Sequence, residues 1–186
     1  MTWSLVLGGA ECVYPDLELA IATFGEPDII VGVKDIWMEY PRIDYFVTFH
    51  VDRIPRELER RRKLGYPDPK AVWTYNGVRV PKIPIPVKMH KVRGGSSGLL
   101  GAIVGTIEAD RAVLAGIPLD TNMRHYHNRK HGKPWAEGRL YKPHWEQMKP
   151  ELQDKVKSMS GWTMKLLGAP TVDWVHGRTS QIAQAG

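Results

Sequence analysis

Arg93-Gly94-Gly95-Ser96-Ser97-Gly98 stands directly before an apolar stretch with helical spacing. The first amides of a helix lack internal partners and carry a partial positive charge. Glycines let a phosphate or carboxylate close on the backbone, and serine hydroxyls add donors. Arg93 adds a forked cation at the same place. The plainer alternative is that Ser96 or Ser97 caps the helix and the glycines only make the turn. Gly8-Gly9 closes the apolar run Leu5-Val6-Leu7 with a second such turn, and Lys34-Asp35 and His50 follow two further apolar runs. The expected ligand site is therefore Gly8, Gly9, Lys34, Asp35, Arg93, Gly94, Gly95, Ser96, Ser97 and Gly98. Asp35 or Asp120 suits a ribose or sugar hydroxyl, and His50 suits proton transfer to or from a reacting group.

Other reactive types are less well placed. His125, His127 and His131 lie close together, and an i,i+4 pair among them suits a metal if the segment is helical. No acidic ligand accompanies them, so no metal is expected. Interleaved Arg124, Arg129, Lys130 and Lys133 fit a basic lid over an anion instead. Cys12, the only cysteine, has no evident activating base and excludes an internal disulfide. Among seven tryptophans, Trp3, Trp73 and Trp174 fall in predicted strands and Trp162 in a helix, where they pack. Trp135 and Trp145 flank the lid and suit a base or sugar ring.

These residues need a scaffold that brings strand ends together. Leu5–Leu7, Asp28–Val33, Asp44–Phe49, Ala71–Tyr75 and Arg111–Ile117 are apolar, mostly β-branched or aromatic runs of the kind buried on both faces, as in a parallel sheet. Helical spacing covers 16–24, and a charged helix runs from about Pro55 to Leu64 with Glu57, Glu59, Arg61 and Lys63 at pairing distance on a solvated face. Val78 to Val92, with Pro81, Pro84 and Pro86, reads as an extended connection or edge strand. A helix follows Gly98 despite Gly101 and Gly105, which weaken it unless close packing needs them. Residues 121–141 lack periodicity and read as a lid. Helices follow at about 143–157 and 161–168, then a last strand at Thr171–Val175. The fold class is α/β: a single three-layer, Rossmann-like domain over residues 1–186, with a mainly parallel sheet flanked by helices and a lid insertion. In such a sheet the carboxyl ends of all strands face one crevice.

Of the 186 residues, 42% are hydrophobic, enough for one core, and no apolar run suffices to cross a bilayer. A cytoplasmic protein with no leader is expected. The net charge of +6 fits nucleic acid or an anionic small ligand. Much of it lies in Arg53–Lys63, where alternating acids and bases suit a solvated helix face rather than a nucleic-acid groove, and the second basic stretch, Lys82 to Arg93, leads directly into the glycine turn and is the more suggestive one. Gly8-Gly9-Ala10-Glu11 does not complete a dinucleotide fingerprint, and no Gly-Lys-Ser/Thr loop is present. Neither a hydride-transfer cofactor nor an ordinary P-loop ATPase is indicated.

Leu5-Val6-Leu7-Gly8-Gly9, Ile43-Asp44-Tyr45-Phe46-Val47 and Gly95-Ser96-Ser97-Gly98 through Gly116-Ile117-Pro118-Leu119-Asp120 together resemble one Rossmann-like group. It comprises bacterial sialyltransferases of glycosyltransferase family 42, motility-accessory glycosyltransferases and hydroxymethylpterin diphosphokinase-like proteins. The resemblance spans about two thirds of the chain. It implies a transferase-like protein that takes a nucleotide or sugar nucleotide as ligand, and it adds His144, beside the lid, to His50 and Asp120 as catalytic candidates. The chain departs from the group in Ala10-Glu11 where relatives have Pro-Ser, in Lys34-Asp35 where they favour asparagine, and in Pro118-Leu119 within the second motif. Such departures leave room for a non-catalytic accessory or phage-associated binding domain. A nucleic-acid-binding protein is the third alternative.

Overall fold

A computed structural model of the chain describes residues 1–92, 94–126, 134, 136 and 138–178. The apolar runs become β1 (Trp3–Leu7), β2 (Ile29–Val33), β3 (Tyr45–Val47), β4 (Ala71–Tyr75), β5 (Val87–His90) and β6 (Arg111–Ala115), joined by β7 (Val156–Ser158). They form one seven-stranded sheet in the order β5-β4-β3-β2-β1-β6-β7, with every neighbouring pair parallel. The helices are α1 (Val13–Phe24), α2 (Ile54–Lys63), α3 (Ser97–Glu108), α4 (Gly138–Leu152), α5 (Gly161–Leu167) and α6 (Val172–His176).

Alternation along each strand sends side chains to two separate cores. Leu5, Leu7, Ile30, Phe46 and Val113 meet Leu17 and Phe24 of α1, Leu58 of α2 and Val175 of α6. Val6, Val31, Val33, Leu114 and Val156 meet Leu100 and Val104 of α3, Trp145 of α4 and Leu167 of α5. The sheet is thus covered on both faces, the three-layer arrangement that the sequence predicts.

From β1 the chain steps outward to β5 with its connections on the first face. Two of those connections are not α-helices. A 3-10 turn at Lys34–Met38 joins β2 to β3, and the proline-rich segment covers the same core with Val78, Val80, Ile83 and Ile85. The chain then returns through α3 on the second face and lays β6 against β1. The order reverses between β1 and β6, which opens a crevice at their carboxyl ends. Gly101 and Gly105 let α3 lie close on the sheet: a Cβ at Gly101 would fall 2.5 Å from Val33 Cγ2, and one at Gly105 would fall 2.9 Å from Ser4 Oγ.

Three expectations need correction. Thr171–Val175 is not a strand: Thr171 caps α6 by accepting a hydrogen bond from the Trp174 amide at 3.2 Å, and Val175 packs into the first core. The final strand is β7, at the end of the stretch expected to be helical, where only Val156-Lys157-Ser158 marks it. On α2, Glu59 and Lys63 do pair at 2.7 Å, but Glu57 and Arg61 are buried and face the core. Glu57 accepts a hydrogen bond from Trp37 Nε1 at 3.2 Å, and Arg61 binds backbone carbonyls. Local charge spacing cannot distinguish a solvated pair from two buried anchors.

Burial, followed by the nearby Asp35 charge, raises the Glu57 carboxyl above its ordinary pKa, while the Trp37 bond opposes the rise. The fold then binds the Glu57 proton more tightly than the unfolded chain does. The favourable contribution is present below the ordinary carboxylate range and is lost as pH rises through the raised pKa. Glu57→Gln keeps an acceptor for Trp37 and removes the charge. It is expected to raise stability by about 1 kcal/mol at neutral pH and by almost nothing near pH 4. Urea melts at the two pH values check this, and a gain equal at both would refute it.

Candidate functional site

At the crevice lies a cavity of about 230 Å³, lined by Gly8, Gly9, Lys34, His50, Gly95, Ser96, Ser97, Gly98 and Asp120 among the expected residues. Its walls are completed by Val33, Phe49, Ile117, Leu119, Met123, Arg124, His125 and Tyr141. The two glycine turns meet in one place because β1 and the start of α3 both reach the end of the sheet beside β6. Asp35, Gly94 and His144 do not line the cavity. Arg93 falls outside the described residues.

Several of these residues have an identifiable local role. Ser96 caps α3, its Oγ accepting from the Leu99 amide at 3.3 Å. Ser97, buried, accepts from the Phe49 amide at 3.3 Å and so ties α3 to the chain leaving β3. Lys34 and Leu119 adopt φ of +55° and +50°, values uncommon outside glycine. Both line the cavity, at the ends of β2 and β6. The β6 turn is held from two directions: Gly116 N donates to Asp16 Oδ2 at 2.9 Å, and Trp162 N at the start of α5 donates to Pro118 O at 2.8 Å.

At three of these glycines the space that a side chain would take is already filled. A Cβ at Gly8 would lie 2.3 Å from Gly116 O, at Gly9 2.4 Å from His125 Nε2, and at Gly94 2.6 Å from His144 Cε1. Gly8 admits the neighbouring strand, while Gly9 and Gly94 each admit an imidazole.

Sequence reasoning named His125 only within a possible metal or lid segment, yet its Nε2 stands 3.6 Å from Asp35 Oδ2. Its ring stacks on buried Tyr126, with centroids 5.0 Å apart. The backbone fixes this position: His125 bridges to Ala10, Tyr126 N donates to Gly9 O at 2.9 Å, and Glu11 N donates to Arg124 O at 2.9 Å. The expected lid is therefore anchored at its start and ends in α4, which begins at Gly138. His127, His131, Arg129, Lys130, Lys133 and Trp135 lie outside the described residues. No sequence periodicity announces a contact between positions so far apart.

Burial, then the Lys34 and Arg53 cations, lower the His50 pKa, which favours a neutral imidazole. Burial pushes the Cys12 thiol up to about 12, so it stays protonated and a poor nucleophile at neutral pH. Trp145 does not cover a ligand: it is fully buried in the second core. Trp174 lies on a helix, its ring centroid 4.9 Å from Arg111 Cζ. Among the described residues no three His, Cys, Asp or Glu side chains form a metal-binding group, and no helix is long and apolar enough to cross a membrane.

No family model, no curated protein and no solved structure matches the chain.

Proposed function

We propose that the cavity binds a nucleotide or sugar nucleotide and that the protein is a transferase-like enzyme. The observation that carries this reading is convergence: Lys34, His50, Arg124 and the start of α3 surround one cavity with apolar walls at the point where strand order reverses. Such a site pairs cations and helix amides with an anion and leaves apolar surface for a ring. Ligand cavities of about 300 Å³ and more are usual, so these 230 Å³ enclose part of such a ligand. The resemblance to the sialyltransferase and diphosphokinase group supports the same class. Asp120 is suited to a sugar hydroxyl, and His50, held neutral, to hydrogen bonding with the ligand.

Calorimetric titration with CMP, UDP, ADP, ATP and CMP- and UDP-linked sugars tests the proposal. At least one should bind, and Lys34→Met should weaken it by about 1.5–3 kcal/mol, the scale of a hydrogen bond to a charged group, without moving the melting temperature. Absence of binding by the wild type, or equal affinity in the variant, would count against the proposal. Binding without turnover of any donor would instead favour the accessory-domain alternative.

A further inference from the structure

Among the described residues three histidines stand at or near the crevice: His50, His144 and His125, the last beside Asp35. His144 packs against Gly94 and does not line the cavity, and at His50 burial and the Lys34 and Arg53 cations outweigh the Asp52 and Asp35 charges. His125 alone among them lines the cavity, stands against a carboxylate and is fixed by a backbone bridge. We infer that Asp35 and His125 form the proton-accepting unit of this site, with His125 the catalytic base and Asp35 the positioning residue; the inference rests on the nucleotide reading above.

The step balances without any further reagent. An acceptor hydroxyl attacks the electrophilic centre of the bound donor, and its oxygen forms the new bond. The bond from that centre to the departing nucleotide's phosphate oxygen breaks, and its electron pair leaves with that oxygen. The hydroxyl proton passes to His125, and the imidazolium is stabilised by Asp35. At 3.6 Å the contact is an ion-pair distance, a little beyond hydrogen-bond length, and proton arrival draws the two together. A carboxylate so placed also selects the ring tautomer and its orientation.

Three features hold the pair in register. Asp35 sits in the 3-10 turn after β2, which α2 grips through Glu57 on Trp37 Nε1 and Arg61 on Trp37 O. Gly9 leaves room for the ring, and Tyr126 supports its face. Lys34 and Arg124 share the cavity and oppose protonation of His125, whereas Asp35 and Asp120 favour it. The carboxylate in contact should dominate.

Imidazole NMR titration of the full chain reads the pair without a substrate. His125 should titrate above the ordinary histidine range, and Asp35→Asn should lower its pKa by about one unit. An ordinary histidine value unmoved by Asp35→Asn would overturn the pair, whatever ligand binds. With a donor identified by the titrations above, His125→Asn should lower turnover by about 10²–10⁴-fold while nucleotide affinity changes less than about threefold. Turnover retained within about threefold would equally overturn the assignment. If no nucleotide binds yet Asp35→Asn lowers the His125 pKa, the nucleotide reading fails and the pair stands.

Discussion

Arg61→Ala is expected to destabilise the protein by about 3–5 kcal/mol, although it removes a charge from the middle of the most polar helix in the chain. The side chain is fully buried. Its Nε donates to Pro67 O at 2.7 Å, Nη1 donates to Tyr40 O at 2.8 Å and to Trp37 O, and Nη2 donates to Pro41 O at 2.5 Å. The guanidinium carbon also stands 5.5 Å from the centre of the Tyr66 ring. One planar fork thus satisfies carbonyls on two stretches of chain outside the sheet and the α-helices. Alanine would strand these carbonyls and leave a void, and each buried unsatisfied acceptor costs about 1–3 kcal/mol less whatever water recovers. Arg61→Lys should recover only part of the loss, because a single ammonium cannot span all four oxygens. Urea denaturation measures both variants. A cost below about 1 kcal/mol for alanine would show that the loop between β2 and β3 stands without its arginine.

This buried arginine also marks where sequence reasoning ran out. The strands were readable because burial on both faces demands uninterrupted apolar runs, and β1, β2, β4 and β6 have them. β7 was not, because a three-residue edge strand needs only Val156 to hold it in the core. Thr171 and Val172 have side chains that favour a strand, yet a threonine hydroxyl at a chain reversal caps a helix equally well, and packing of Val175 decides. The convergence of Gly8-Gly9 with Gly95–Gly98 followed from parallel topology, since all carboxyl ends of the strands share one side. The His125–Asp35 contact could not follow from it. It depends on a bridge between Ala10 and His125, a long-range pairing outside every regular element.

The last expected result separates two adjacent glycines that look equivalent in sequence. Neither Gly8 nor Gly9 has a positive φ, so alanine is opposed at both by space alone. At Gly8 the added carbon would stand 2.3 Å from Gly116 O and 2.4 Å from Ile117 Cγ1. Gly8 N also donates to Ala115 O at 2.8 Å, and Gly116 is itself held by Asp16, so neither backbone can retreat without opening the β1–β6 pairing. Gly8→Ala should therefore cost about 3 kcal/mol, the upper part of the usual range for overpacking. At Gly9 the obstacle is His125 Nε2 at 2.4 Å, the tip of a side chain. The ring can swing away at smaller cost, about 1 kcal/mol, but in doing so it leaves Asp35. Gly9→Ala should keep the fold, lose the elevated titration of His125 and lower any turnover as His125→Asn does. Thermal melts and imidazole NMR on the two variants test the contrast. Equal destabilisation at both positions, or a His125 titration unchanged in Gly9→Ala, would mean that the glycine turn does not seat the imidazole.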